Sequence, residues 1–404
     1  MRPASLTVAA LAMTLTVACV PGDDVGKARN NCIGACGADL DDDRVADLFG
    51  PAAPGDWTTY RADTYRTGYG AESSVGDDVE LVWSRPDFMV RDWTAAKSSG
   101  VVWGDTLYYP SDEGTLYAFD RMNGGVRWET SLIDRKPGIH STPHVTASAV
   151  FLGTYAGQLH ALDRETGAKI WNYAIGNVIG SSPLYVPEHS AIYVSHETPK
   201  AAPYPGGGYV TKNDPRDGSE IWASEQLHHW PHASVAVDPA RNILMVGAND
   251  GVLHGYDTDT GAELWSRDFE ADAASEADIK TTAAISEERG WGILGTWDRN
   301  VYAIELETGD IVWQFATNGR MQGSPALDDI NGRIFQGSSG SGETMFAIDL
   351  ETGEKLWGVD LGNIASSPAI SGDRARVVIG TSDHRVVALD AATGDIVWQF
   401  ETDG

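Results

Sequence analysis

The sequence predicts an all-β protein, a β-propeller of four-stranded blades, and three observations carry that expectation. Gly stands four residues before Trp seven times, at 124/128, 167/171, 218/222, 261/265, 309/313, 353/357 and 394/398. Successive tryptophans of this set lie 41 to 51 residues apart, with strand signals and no helical period between copies, the mark of radial sheets repeated around an axis. Each copy also reads as one hairpin. In residues 299–313, Val301 and Ala303 alternate as a strand should, as do Ile311 and Trp313, and Gly309 supplies the positive φ of the short loop between them.

In chain order, Arg2 and the apolar residues 4–17 read as an export signal. It ends in Leu15-Thr16-Val17-Ala18-Cys19, which resembles the lipobox of bacterial lipoproteins and implies that Cys19 is acylated. Thr16 stands where that motif prefers Leu. Residues 1–19 are thus the signal and 20–52 a polar tether rich in Gly, Asp, Asn and Pro. An exported chain meets an oxidising compartment, where Cys32 and Cys36 read as a disulfide pair, two thiols being half a zinc shell. Asp39, Asp41, Asp43 and Asp47 have Ca²⁺-loop spacing and resemble thrombospondin type 3 repeats. However, Arg44 occupies the Gly position and no bidentate Glu follows, so a solvated acidic linker is the reading preferred.

Residues 53–404 make the propeller. Its entry is Asp56-Trp-Thr-Thr-Tyr-Arg-Ala-Asp-Thr-Tyr-Arg-Thr-Gly68, and a first repeat-like Trp83 follows. With the recurring Ala-(apolar)-Asp-x-x-Thr-Gly-x-x-x-Trp, this segment resembles the PQQ-like β-propeller repeat family, the quinoprotein dehydrogenase superfold. The resemblance implies that the repeat tryptophans (Trp128, Trp171, Trp222, Trp265, Trp313, Trp357 and Trp398, with Trp83) are structural and pack between neighbouring blades. Seven blades are complete, each opening near a Ser-Ser-Pro-like triplet such as Ser181-Ser182-Pro183 or Ser366-Ser367-Pro368. Trp83 is an eighth, with no inner strands before it, so the expected plan is eight blades, incomplete as given, with an extra N-terminal strand.

The family's inner strands line a central channel. The residues just before the triplets include Lys97, His140, His232, Lys280 and Gln322; Arg320 and Asp278 share a face by period-2 counting. Clustered cations and imidazoles at one mouth would make a positive well for an anionic ligand. His228, His229 and His232 have metal-like spacing that fits a blade edge equally well. The long loop 195–209 of the third blade, with three prolines, is a candidate partner surface.

With 58 acidic against 29 basic residues, the net charge of −29 disfavours nucleic acid and anionic lipid surfaces. Quinoprotein dehydrogenases of the superfold hold PQQ with Ca²⁺, an Asp base, a Trp floor and often an adjacent Cys pair. This chain has no adjacent cysteines and none after Cys36, so catalysis is not expected. The expectation is an exported, lipid-anchored binding or scaffold propeller with envelope protein partners, like the propeller lipoproteins of outer-membrane protein assembly. A PQQ-dependent dehydrogenase or small-ligand sensor using the channel is the alternative.

Overall fold

The computed structural model describes residues 56–71, 75–77, 79–85, 98–133, 138–197, 206–269 and 276–402. The signal, the tether, Cys19, Cys32, Cys36, the four tether aspartates, Lys97 and residues 198–205 of the long loop lie outside them.

Seven four-stranded antiparallel sheets follow one another along the chain, so the protein is a seven-bladed β-propeller. The blades span 101–131, 144–174, 184–223, 236–268, 284–316, 326–359 and 369–401. Inside each blade the third and fourth strands form the repeated hairpin. In the fifth these are Asn300–Glu305 and Ile311–Ala316, with a register shift between Ala303 and Ile304 and Gly309 at φ 73°. A bulge with Gly in the left-handed region is what the short loop demanded.

Middle strands such as Ile243–Gly247 are buried on both faces and continuously apolar, whereas outer strands such as Glu263–Asp268 alternate. Six apolar clusters result among the described residues, one between each successive pair of blades. The cluster between blades 4 and 5 joins Met245 and Leu253 to Ile285 and Leu294; that between 6 and 7 joins Phe335 to Ile379. Burying each such side chain stabilises by about 1.5–3 kcal/mol.

Two further devices lock blade to blade. Each repeat Trp except Trp398 lays its ring against the turn Gly of the next blade, Trp313 on Gly353 for example. Its indole N–H donates to a backbone carbonyl three residues earlier, as Trp128 does to Arg164, Trp265 to Leu306 and Trp313 to Leu350. This explains why each of these turns carries Gly, since any Cβ at Gly353 would stand 2.7 Å from the ring. The triplets form the second device. The middle hydroxyl of each accepts from the amide of the preceding triplet at 2.8–3.0 Å, in a belt running Ser99, Thr142, Ser182, Ser234, Thr282, Ser324, Ser367. Side-chain hydroxyls thereby satisfy backbone donors that the channel would otherwise leave bare.

The segment before the first blade does not join the sheets. Residues 56–71 run through the axis and touch every blade. Trp57 exchanges both backbone bonds with Val102 in blade 1, and Thr58 accepts from Val145 in blade 2. Tyr65, Thr67 and Gly68 accept from Ile285, Leu327 and Ile370 in blades 5, 6 and 7. Arg66, with no exposed surface, covers blades 3 and 4 by donating to the carbonyls of Ser182 and Val235. Gly68, at φ 69°, is required here because a Cβ would overlap the Arg61 guanidinium, which donates to Pro325. Residues 79–85, expected as an additional strand, pair into none of the seven sheets among the described residues. Trp83 nevertheless sits on Gly124 and donates to Arg121, as the other repeat tryptophans do on theirs.

Candidate functional site

The chain's axial segment closes the channel on one side and leaves a cavity of about 660 Å³ at the triplet side. Tyr60 belongs to its wall and is held by Ser324 Oγ at 3.0 Å. Hydroxyls of the belt (Ser99, Ser182, Ser234, Thr282 and Ser367) make one polar layer.

Above that layer stand the residues that precede the triplets. His140, His232, Lys280 and Gln322 share the cavity wall, as the sequence spacing implied. Arg320 stands beside it, its guanidinium 4.6 Å from the Trp297 ring centroid.

Sequence reasoning missed a second ring of side chains, supplied in five blades by the end of the second strand or the turn after it: Asp112, Tyr155, Glu197, Asn249 and Trp297. The two rings interlock. His140 Nε2 is 2.7 Å from Asp112 Oδ1 of the preceding blade, and its Nδ1 is 2.8 Å from the Tyr155 hydroxyl of its own. His232 repeats the arrangement, with Nε2 3.2 Å from Glu197 Oε1 and Nδ1 2.9 Å from Asn249 Nδ2. Lys280 Nζ is 3.0 Å from Asp278 Oδ2 and 4.5 Å from the Trp297 centroid. Arg320 Nη2 is 3.0 Å from Glu276 Oε2. A signal was present, because these residues directly follow the one that ends a buried strand pair: Ser111-Asp112, Thr154-Tyr155, Thr296-Trp297.

The pairing decides what the site can do. Both ring nitrogens of His140 and of His232 are engaged, each imidazole bridging a carboxylate of the preceding blade and a polar group of its own. Burial, then the nearby Glu197 and Asp112 carboxylates, push the Tyr155 phenol up to about 12, so it acts as a neutral hydroxyl. His229 Nδ1 accepts from the Trp230 amide and does not converge with His232 on a common point.

A quinone with a divalent cation does not fit this donor set. Among the described residues no cluster of three or more His, Cys, Asp or Glu could hold a metal, and no carboxylate lines the cavity. The Trp297 ring that a flat cofactor would need carries the Lys280 and Arg320 cations.

A family model described as "Outer membrane protein assembly factor BamB" matches residues 76–199, 206–293 and 297–404. An outer membrane protein assembly factor BamB from Yersinia pestis is 23% identical over 276 residues, 64% of this chain and 65% of its own length. A polyvinylalcohol dehydrogenase from Sphingopyxis sp. (strain 113P3) is 23% identical over 400 residues, 74% of this chain and 60% of its own. The chain thus spans less than two thirds of the length of these curated relatives. Among solved structures, a europium-containing methanol dehydrogenase superposes with TM-score 0.74 at 14% identity, covering 89% of this chain and 87% of that one. BamB from Moraxella catarrhalis gives 0.58 at 19%, covering 77% and 87%. At these identities the structures establish the shared propeller.

Proposed function

From the premise that the chain belongs to the family described as outer membrane protein assembly factor BamB, we propose a non-catalytic scaffold for protein partners at the bacterial cell envelope. In this reading residues 1–19 are a lipoprotein signal, acylated Cys19 holds the protein to the outer membrane from the periplasmic side, and 20–52 is a tether. Residues 53–404 present the binding surface, no cofactor is needed, and neither nucleic acid nor a membrane span takes part.

The observation that carries the reading is on the outer strands. Each blade ends in an edge strand, and next to the repeat turn it exposes an apolar side chain: Val126, Ile221, Leu264, Ile311, Leu356 and Ile396, each 38–53% exposed. Only the second blade departs from the pattern, with Ile170 half-buried. Unpaired strand edges flanked by exposed apolar groups are surfaces on which an extended partner segment adds as a strand. The acidic chain around them suits partners with basic surfaces.

The test is recovery of partners from envelope extract by the full chain and by an Ile221→Glu/Leu264→Glu/Ile311→Glu variant. The variant should recover fewer partners at an unchanged thermal midpoint; equal recovery contradicts the surface. Palmitate label should enter the wild-type chain and not a Cys19→Ser variant. The dehydrogenase relatives set the competing reading, PQQ with Ca²⁺ in the channel. Added PQQ and Ca²⁺ should yield neither a retained quinone absorbance nor dye-linked alcohol oxidation.

A further inference from the structure

We propose that the seam between blades 7 and 1 seats an extended segment of another polypeptide, one that reads aliphatic-x-x-hydroxyl as this chain's own blade entries do. The site is separate from the outer strands and stands whether or not they bind a partner. The regular interfaces show what such a segment does. In blades 2, 4, 5 and 6 the second strand ends in Gly, and the residue three before the next belt hydroxyl lies on it. Ile179 covers Gly153, Ile279 covers Gly247, Met321 covers Gly295 and Ile364 covers Gly337, so closely that a Cβ on the Gly would stand 2.2–2.8 Å away. All four covering residues are 0% exposed. In blade 7 the same position is Gly380, and among the described residues a Cβ there would meet only Ser366 of its own blade, at 3.4 Å. Counted back from Ser99 of the belt, the chain's own residue for this place is Ala96, outside the described residues, with a methyl where the others carry Ile or Met.

The faces on either side of this socket are unfinished in the same way. Val378 and Val386 hold the positions of Phe335 and Met345 in blade 6 and of Ile293 and Val301 in blade 5. Those four are 0% exposed, whereas the two valines are partly exposed. Across the seam, Leu107, Tyr109 and Tyr117 of blade 1 hold the positions of Val377, Ile379 and Val387, which are buried against blade 6. All three blade 1 residues are partly exposed. The belt is open at both ends: among the described residues, the Ser367 amide and the Ser99 hydroxyl lack the bonds that their counterparts make. A hydroxyl three residues after the aliphatic would accept from Ser367, as Ser367 accepts from Ser324 at 2.8 Å, and its own amide would donate to Ser99. None of these lining side chains is charged, so the segment that fits is uncharged and apolar on both faces, like the chain's own buried strands. Backbone bonds then supply affinity, and the Gly380 socket supplies selectivity.

The experiment is fluorescence anisotropy on the full chain, with a labelled peptide copied from residues 362–371, Gly-Asn-Ile-Ala-Ser-Ser-Pro-Ala-Ile-Ser, and a scrambled peptide of the same composition. The first should bind and the second should not. Gly380→Val fills the socket from within and makes only an ordinary contact with Ser366, so it should leave the thermal midpoint unchanged and weaken the peptide at least about tenfold. Val386→Glu, on the partly exposed face beside the socket, should weaken it as well and serves as the probe if Gly380→Val lowers the midpoint. The Ile221→Glu/Leu264→Glu/Ile311→Glu variant should bind the peptide as the wild type does, which keeps this site's failure distinct from failure of the scaffold surface. No binding, equal binding of the scrambled peptide, loss in the outer-strand variant, or full affinity in the seam variants would overturn the proposal.

Discussion

Six of the blade-to-blade interfaces and the seam between blade 7 and blade 1 solve the same problem differently. At each regular interface an apolar cluster, a belt hydrogen bond and an indole resting on a turn glycine act together. At the seam none of the three is formed directly between the blades among the described residues. The belt ends at Ser99 and Ser367 with no bond between them, and no apolar cluster spans the two blades. Trp398 of blade 7 donates instead to Gly76, and Arg376 reaches Asp77. Trp83 supplies the indole that blade 1 receives. The segment entering the propeller thus bridges the seam from outside while residues 56–71 tie all seven blades from within. A ring can be held shut by a strap as well as by matched faces, and the strap concentrates in a few residues what the repeats distribute over many.

That contrast is sharpest at Arg66. Its guanidinium donates to Val235 and Ser182 across the channel and to Thr59 and Tyr60 in its own segment. Replacing it by Met strips three buried acceptors and one part-buried acceptor of their donor and frees the strap, so Arg66→Met should cost about 3–5 kcal/mol in urea unfolding. A loss near 1 kcal/mol would mean that the seam closes without the strap.

Acidification attacks the regular blades instead. His144 is held down to about 3 by burial and then by Arg66, His160 to about 3 by burial and then by Lys169, and His196 to about 4 by burial. In the unfolded chain each takes its proton near pH 6.5, so below that value the unfolded state binds more protons. Stability is then full above pH 6.5 and falls as pH drops toward 4. Each histidine steepens the decline by up to about 1.4 kcal/mol per pH unit. Urea midpoints at pH 7 and pH 5 measure it, and His160→Leu should flatten the slope by one proton's share. An unchanged slope would show that His160 is not neutral in the fold.

The smallest effect separates the two kinds of interface directly. Trp313→Phe and Trp398→Phe remove the same indole bond, to Leu350 in one case and to Gly76 in the other. The first is part-buried and should cost about 1 kcal/mol; the second is exposed and should cost about half that. Equal costs would remove the distinction between a packed interface and a strapped one.

The repeat was legible because the same residues play the same role seven times. Gly353 touches Trp313 of the blade before, and the same contact at each regular interface makes both residue types recur once per blade. The wall residues His140, His232, Lys280 and Gln322 were legible for the same reason, since they hold one position relative to the triplets. Asp278, the partner of Lys280, was legible too, two residues away on the same strand face. The carboxylates that meet His140 and His232 were not, because Asp112 and Glu197 come from neighbouring blades. The role of residues 56–71 was illegible for a deeper reason. Arg61 and Arg66 bind backbone carbonyls more than a hundred residues away, and a carbonyl carries no side-chain signature. Residues 79–85 look like a strand by composition, yet Leu81 and Val82 are exposed and no described strand pairs with them.

The central claim is that one axial segment governs a seam it reaches across the width of the channel. Hydrogen exchange followed by mass spectrometry, on the full chain and on Arg66→Met, tests it most directly. The account predicts that protection is lost first in 101–103 and 369–370, the inner strands at the seam, although the deleted bonds belong to blades 3 and 4. Loss confined to the residues around Ser182 and Val235, or spread evenly over all seven blades, would contradict it.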